Sequence, residues 1–168
     1  MIKITFPDNS VKEFESGITP LQIAESISPR LAQEVLAATV DGQEWDLSRS
    51  INADAAIKLF KWDDPEGKHA FWHSSAHLLA EALQELYPGI KFGIGPAIEN
   101  GFYYDVDSET PLTTEDLEKI EKEMKKIVKE ALPIERFTLP RNEAIALMKE
   151  KEEPYKVELI EDLPEGEE

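Results

Sequence analysis

Apolar and polar residues alternate at the start of the chain, and this pattern predicts a hairpin followed by a helix. Residues 2–6 alternate as a half-buried strand does, and residues 11–14 can return after a polar turn as a second strand. Thr19 followed by Pro20 predicts a helix start, because threonine caps a helix and proline fits its first turn. The apolar residues that then form a helical face are Leu21, Ile23, Ala24 and Ile27.

Three further short apolar runs predict the strands that close this first part of the chain. They cover residues 37–40, 44–47 and 56–60. The resulting order is two strands, a helix and three strands within about sixty residues. This order favours a ubiquitin-like β-grasp fold.

Helical periodicity dominates the second part of the chain. Residues 68–86 predict a long helix that Pro88 and Gly89 end, and residues 113–132 predict another that begins at a threonine cap. The predicted buried positions are Trp72, Leu79, Leu83 and Leu86 on the first helix, and Leu117, Ile120, Met124, Ile127 and Val128 on the second.

Shorter elements are predicted around these two helices. Residues 91–107 combine glycines with aromatic residues and predict strands joined by tight turns. Residues 134–139 predict a strand, and residues 141–151 and 158–162 predict helices. The predicted fold class is therefore α+β in both parts of the chain.

Composition narrows the class of protein. The chain has 168 residues, of which 41% are hydrophobic and 32% charged, so a folded core is expected. A net charge of −17 excludes a basic nucleic-acid module, and any RNA contact needs a local patch or another region. Cysteine is absent, which excludes disulfides and cysteine-based zinc sites or nucleophiles in this chain. The strand-like start and the lack of long apolar runs predict a cytoplasmic protein.

A short polar stretch predicts a boundary between two domains. Residues 63–67 read Asp-Asp-Pro-Glu-Gly and predict a linker. The charge also changes there, from a net −3 in residues 1–62 (6 basic, 9 acidic) to −14 in residues 63–168 (12 basic, 26 acidic). We therefore expect one domain at 1–62 and another at 68–168.

All three histidines of the chain, His69, His73 and His77, recur at four-residue steps. On a helix, neighbours at this spacing lie about 6 Å apart along the axis and the outer two about 12 Å apart, so a pair is the useful unit. A pair can bind zinc, act in acid–base catalysis, or have a purely structural place on the side of a helix with its hydrogen bonds satisfied. Ser74 stands after His73, where metalloproteases have glutamate, and this counts against zinc.

Three sequence motifs together resemble one known family. They are His73–Ala80 (HSSAHLLA), Gly93–Asp105 (GIGPAIENGFYYD) and Glu153–Ile160 (EPYKVELI). In this order after a β-grasp domain, they resemble bacterial-type threonyl-tRNA synthetases. The resemblance covers essentially the whole chain. It identifies the β-grasp part as similar to a TGS domain and the rest as similar to the editing domain.

The resemblance implies a proofreading function. Serine lacks one methyl group of threonine, which a binding pocket can use for only about 1–3 kcal/mol of discrimination. The family therefore hydrolyses the ester of mischarged seryl-tRNA(Thr) in a second site. A downstream Cys-x-x-x-His segment completes that site, and it is absent here. We therefore expect the N-terminal part of a threonine–tRNA ligase, truncated within its editing domain and weak or inactive alone.

The resemblance also implies ligands and roles. The expected partner is tRNA(Thr), mainly its aminoacylated 3′ end, with serine or threonine as the acyl group. No cofactor is expected in this fragment, whereas ATP, magnesium and zinc, together with homodimerisation, are implied for the absent core. The implied catalytic residues are His73, His77 and Lys156, the implied substrate-binding residues are Gly95, Pro96 and Tyr104, and no metal site is implied.

Simpler roles remain open for these residues. Lys156 can be a solvated charge, Tyr104 a packing residue and Gly95 a turn residue. Two other functions also stay open. One is a non-catalytic adaptor that binds RNA or protein through a TGS module. The other is a zinc-dependent deacylase of the alanyl type, whose helix also carries His-x-x-x-His.

Overall fold

A computed structural model describes residues 1–164 of the chain. The chain divides into two compact units, Met1–Trp72 and a second that begins at His73. No helix in residues 1–164 is long and apolar enough to cross a membrane. The α+β class predicted from the sequence is confirmed in both units.

The first unit is a mixed five-stranded sheet with two helices. Its elements are β1 (Ile2–Thr5), β2 (Val11–Phe14), α1 (Pro20–Ile27), α2 (Pro29–Glu34), β3 (Ala37–Val40), β4 (Gln43–Trp45) and β5 (Ala55–Phe60). The strand order is β2-β1-β5-β3-β4, with β1 and β5 parallel and the other pairs antiparallel. This arrangement confirms the β-grasp prediction.

The core of the first unit follows from the alternation in its strands. Its buried members are Ile2, Ile4, Ile23, Val40, Ile51 and Ile57. Thr19 caps α1 as predicted, in a capping box with Gln22. Leu21 and Ile27, the other two members of the predicted apolar face, are 36% and 44% exposed. A two-turn helix turns only a narrow stripe toward the sheet, and that stripe is Pro20, Ile23 and Ala24.

Helix α2 was not predicted, although its signal is present in the sequence. Ser28 accepts a hydrogen bond from the backbone N–H of Leu31, and Pro29 occupies the first turn. A serine followed by proline is the same start signal that Thr19 and Pro20 give for α1. The helix has only six residues, too few for apolar periodicity to show.

The second unit combines helices with two small hairpin-like sheets. Helix α3 spans Pro65–Leu86, and the division between the units falls within it. The elements that follow are β6 (Lys91–Phe92), β7 (Ala97–Ile98), β8 (Gly101–Phe102), β9 (Val106–Asp107), α4 (Thr114–Glu130), α5 (Arg141–Glu150) and α6 (Pro154–Glu161). Strand β6 pairs with β9 and β7 with β8, both antiparallel. The buried core consists of Ala82, Leu83, Ile90, Phe92, Ile120 and Ile127.

Three residues predicted to lie in the core of the two long helices do not lie there. Leu117 and Val128 are 59% and 60% exposed, because α4 turns only a narrow stripe around Ile120 and Ile127 toward the core. Trp72 does not join the leucine ridge. It packs edge-on against Trp62 and Phe71 within the first unit, at centroid distances of 5.6 and 5.2 Å.

The predicted strand at 134–139 is also absent from the described sheets. Ile134 and Phe137 are 84% and 68% exposed. A strand needs a neighbour for its backbone hydrogen bonds, and a short apolar run does not supply one.

The predicted linker 63–67 is a turn that leads into a helix. Asp64 accepts a hydrogen bond from the Lys61 backbone N–H, and α3 begins at Pro65, three residues before its predicted start. Gly67 lies so close to Lys61 that a Cβ would stand 2.0 Å from the Lys61 carbonyl oxygen. Glycine is therefore required there by close backbone approach. The domain limits 1–62 and 68–168 stay a prediction.

Candidate functional site

The histidine pair lies on the part of α3 that belongs to the second unit. The Nε2 atoms of His73 and His77 are 3.0 Å apart, and the two rings meet edge to face with centroids 4.6 Å apart. The four-residue spacing therefore produces a direct imidazole–imidazole hydrogen bond. One Nε2 must carry a proton and donate it, while the other must be bare and accept it. The pair is exposed and so open to a ligand.

The environment of His77 favours its neutral form. Partial burial of its ring, the neighbouring His73 and the positive charge of Lys156 all lower the pKa of His77 below its ordinary value of 6.5, burial having the largest effect. A neutral imidazole at pH 7 has an unprotonated nitrogen that can accept a proton. His77 is therefore suited to act, or to support His73, as a base.

Lys156 joins this region from the opposite end of the sequence. It lies on α6, and its Nζ donates a hydrogen bond of 2.9 Å to the carbonyl oxygen of Gly93. The same Nζ lies 3.4 Å from the Tyr104 hydroxyl oxygen and 5.6 Å from the Tyr104 ring centroid. The ammonium is half-buried and held by named partners, so it is not the freely solvated charge that its acidic surroundings predict.

Tyr104 and Gly95 form a close contact. A Cβ on Gly95 would stand 2.3 Å from Cδ2 of the Tyr104 ring, so the ring lies directly on the glycine backbone. The Tyr104 ring also packs against the Phe92 ring in a T-shaped arrangement, with centroids 5.5 Å apart. Gly95 therefore serves close approach, and Tyr104 packs as well as reaching Lys156 with its hydroxyl. Pro96 follows Gly95 and is half-buried.

The backbone of Gly93 was missed by sequence reasoning as a member of this site. Its carbonyl oxygen holds Lys156, and its N–H donates to the Asp105 carbonyl at 2.9 Å. The available signal was the repeated glycine at 93 and 95, which permits two chain segments to run close together. A second missed contact is the Tyr155 hydroxyl, which donates to Asp107 at 3.0 Å and ties α6 to β9.

We call His73, His77, Tyr104, Lys156 and the backbone of Gly93 and Gly95 the histidine–lysine cluster. It combines a hydrogen-bonded pair of imidazoles with one ammonium group and a glycine-lined backbone. Such groups can move a proton to or from water and stabilise a developing negative charge. Pro96 lies next to the cluster because it follows Gly95 in the sequence.

The cluster does not fit a zinc ion. Within residues 1–164, no group of three or more histidine, aspartate or glutamate side chains is placed to hold a metal. Two imidazoles that hydrogen-bond to each other leave at least two positions of a tetrahedral zinc site to be filled from elsewhere. The arrangement therefore favours proton transfer over metal chemistry.

Comparison with known protein families identifies the domain at the start of the chain. Residues 2–61 match the family model of the TGS domain, in agreement with the β-grasp fold of the first unit. The chain thus carries a TGS domain at its start.

The whole chain is similar to one group of enzymes. The threonine–tRNA ligase of Parabacteroides distasonis is 62% identical over 167 residues, which are 99% of this chain and 26% of that protein. That of Porphyromonas gingivalis W83 is 61% identical over 168 residues, and that of Bacteroides fragilis 58% over 167, with the same coverage. The chain resembles the N-terminal region of threonine–tRNA ligases and spans about a quarter of their length.

Proposed function

We propose that this chain is the N-terminal part of a threonine–tRNA ligase, and that its second unit contributes to hydrolysis of mischarged seryl-tRNA(Thr). The observation that carries the proposal is the histidine pair beside Lys156 in a chain so similar to these ligases. The partner is then tRNA(Thr), with seryl or threonyl esters at its 3′ end, and the location is the cytoplasm. ATP, magnesium, zinc and dimerisation belong to regions outside these 168 residues.

Ester hydrolysis requires the protein to assist three events. A water molecule must lose a proton as its oxygen attacks the ester carbonyl carbon, the carbonyl oxygen must be stabilised as an oxyanion, and the ribose oxygen must gain a proton as the ester bond breaks. In our proposal an unprotonated nitrogen of the histidine pair takes the proton from water. The pair then returns a proton to the ribose oxygen, so no net proton is consumed in these steps.

Lys156 supplies the positive charge in this proposal. Its ammonium has a fixed position because the Gly93 carbonyl and the Tyr104 hydroxyl accept hydrogen bonds from it, which leaves one N–H for the oxyanion or for the attacking water. Its charge also disfavours protonation of His77 and so keeps a base available. Tyr104 and the Gly95 backbone shape the side of the pocket that receives the amino acid.

The test places these residues in a complete enzyme. The 168 residues replace the corresponding segment of the Parabacteroides distasonis ligase, and the loss of seryl-tRNA(Thr) is measured. We expect His73→Ala to slow deacylation by about 10²- to 10⁴-fold, the range for acid–base participation. Lys156→Met should also slow it, through lost stabilisation of the oxyanion.

Matched controls remove the same groups nearby. His69→Ala deletes an imidazole one turn earlier on α3, and Lys151→Met deletes an exposed lysine just after α5. Both should deacylate at the unsubstituted rate, and thermal melts should show all variants folded. A folded His73→Ala enzyme that edits as fast as its parent would refute the catalytic role and leave the pair as a surface feature of α3.

A further inference from the structure

A recess outside the histidine–lysine cluster lies between β6 and the turn that joins α5 to α6. Its volume is about 460 Å³, at the smaller end of small-molecule pockets. The residues that line it are Lys91, Lys149, Glu152, Glu153, Pro154 and Val157. None of these belongs to the histidine–lysine cluster. We call this recess the Glu153 groove.

Glu153 is the unusual member of the groove. The residue is only 9% exposed, and its Oε2 atom is buried without a hydrogen-bond partner among residues 1–164. Glu153 stands just before α6, yet its side chain does not cap that helix. A carboxylate that is buried with one oxygen unpaired is energetically unfavourable, so it gains from a donor that the described residues do not supply.

The rest of the groove carries opposite charge and apolar surface. Lys91 is anchored by a 2.7 Å hydrogen bond from its Nζ to the Glu152 carbonyl oxygen, which leaves further N–H donors. Lys149, near the end of α5, adds a second ammonium, which also faces a Glu161 carboxylate oxygen at 4.0 Å. Pro154 and Val157 supply apolar contact. A ligand that satisfies this lining must therefore carry a donor cation, an anion and a small apolar group.

We propose that the Glu153 groove binds a free α-amino acid with a small aliphatic side chain. The ligand's α-ammonium pairs with Glu153, its carboxylate with Lys91 and Lys149, and its side chain rests on Pro154 and Val157. A simple anion is disfavoured by the two glutamates. A bare divalent cation is disfavoured by the two lysines and finds no three-ligand group in the described chain. This proposal does not depend on the editing function.

The experiment is an amide NMR titration of the 168-residue chain with L-valine, which lacks the hydroxyl of serine and threonine. Two analogues are titrated beside it: 3-methylbutanoate, which lacks the ammonium, and L-valinamide, which lacks the carboxylate. We expect valine to shift the amide signals of Lys91 and Val157, and each analogue to bind at least about tenfold more weakly, as the loss of a charged hydrogen bond predicts.

Glu153→Gln tests the carboxylate with almost no change in shape. It should weaken valine binding at least about tenfold, and a thermal melt checks that the variant remains folded. Glu150→Gln is the matched control on exposed α5 surface and should bind valine as the parent does. Any one of three results overturns the proposal. Valine causes no shifts at a 100-fold excess over the chain that would saturate a site of millimolar affinity, the Glu153→Gln variant binds valine as tightly as the parent does, or 3-methylbutanoate binds the parent as tightly as valine does. Absence of binding would mean that ordered water alone occupies the groove.

Discussion

Replacement of Gly95 by alanine tests the closest contact in the histidine–lysine cluster. The new Cβ would stand 2.3, 2.5 and 2.8 Å from Cδ2, Cε2 and Cγ of Tyr104. Carbon atoms in contact normally lie about 3.5–4.0 Å apart, so the overlap is roughly 1 Å. Because Cγ is among the atoms struck, the ring cannot escape by a small tilt. The ring also packs against Phe92.

The expected cost can be worked from two opposing effects. Overpacking of this kind costs about 1–3 kcal/mol. Gly95 does not have a positive φ, so alanine would otherwise stabilise the chain by about 0.4–1 kcal/mol through the unfolded state. The net expectation is a loss of about 1–2 kcal/mol. With urea m-values of about 1–3 kcal/mol per molar, the midpoint should fall by roughly 0.3–2 M.

The assay is urea denaturation followed by NMR, because the two units can be read separately. Trp45, Trp62 and Trp72 all lie in the first unit, so their indole N–H signals report on that unit. Amide signals of Leu83 and Ile120 report on the core of the second. We expect Gly95→Ala to lower the midpoint of the second-unit signals.

Two comparisons isolate the clash with the tyrosine ring. Gly93→Ala places a Cβ 3.2 Å from the Asp105 Cβ, a milder contact, and should cost less than Gly95→Ala. In a Tyr104→Ala background, Gly95→Ala should become neutral or stabilising, because the ring is gone. The reasoning is refuted if Gly95→Ala is as stable as the parent chain, or if it costs the same with and without the ring.

Three further predictions concern ionisation, capping and metal. His77 should titrate below pH 6.5 by NMR, and Lys156→Met should raise that midpoint because it removes a repelling charge. Since the folded pKa of His77 lies below its unfolded value, its contribution to stability should be present above about pH 6.5 and be lost as the pH falls from there through the folded pKa; a midpoint at or above 6.5 would contradict this. Thr113→Ala should cost about 1 kcal/mol in urea unfolding through loss of the α4 capping box, whereas Thr114→Ala, one residue on, should cost clearly less. Elemental analysis after dialysis against dilute zinc should find far less than one zinc per chain, and one tightly held ion would count against this site geometry.

Local features of the chain were predictable because neighbouring residues decide them. Thr19 and Thr113 start helices through bonds to residues three positions on, which the sequence contains in full. The alternation in β1 identifies Ile2 and Ile4 as inward-facing, since a strand has only two faces. The four-residue step from His73 to His77 is likewise a local distance, and it produced a contact of 3.0 Å.

Tertiary packing decided everything that depends on distant segments. Lys156 meets the Gly93 carbonyl across 63 positions of sequence, and no periodicity reports that approach. Leu117 and Val128 satisfied a helical pattern and yet lie in solvent, because only contact with other elements chooses which stripe is buried. The run 134–139 was predicted to be a strand and is not one, because a strand depends on a neighbour. The burial of Glu153 is of the same kind: its residue type predicts exposure, and the fold around α6 alone encloses it.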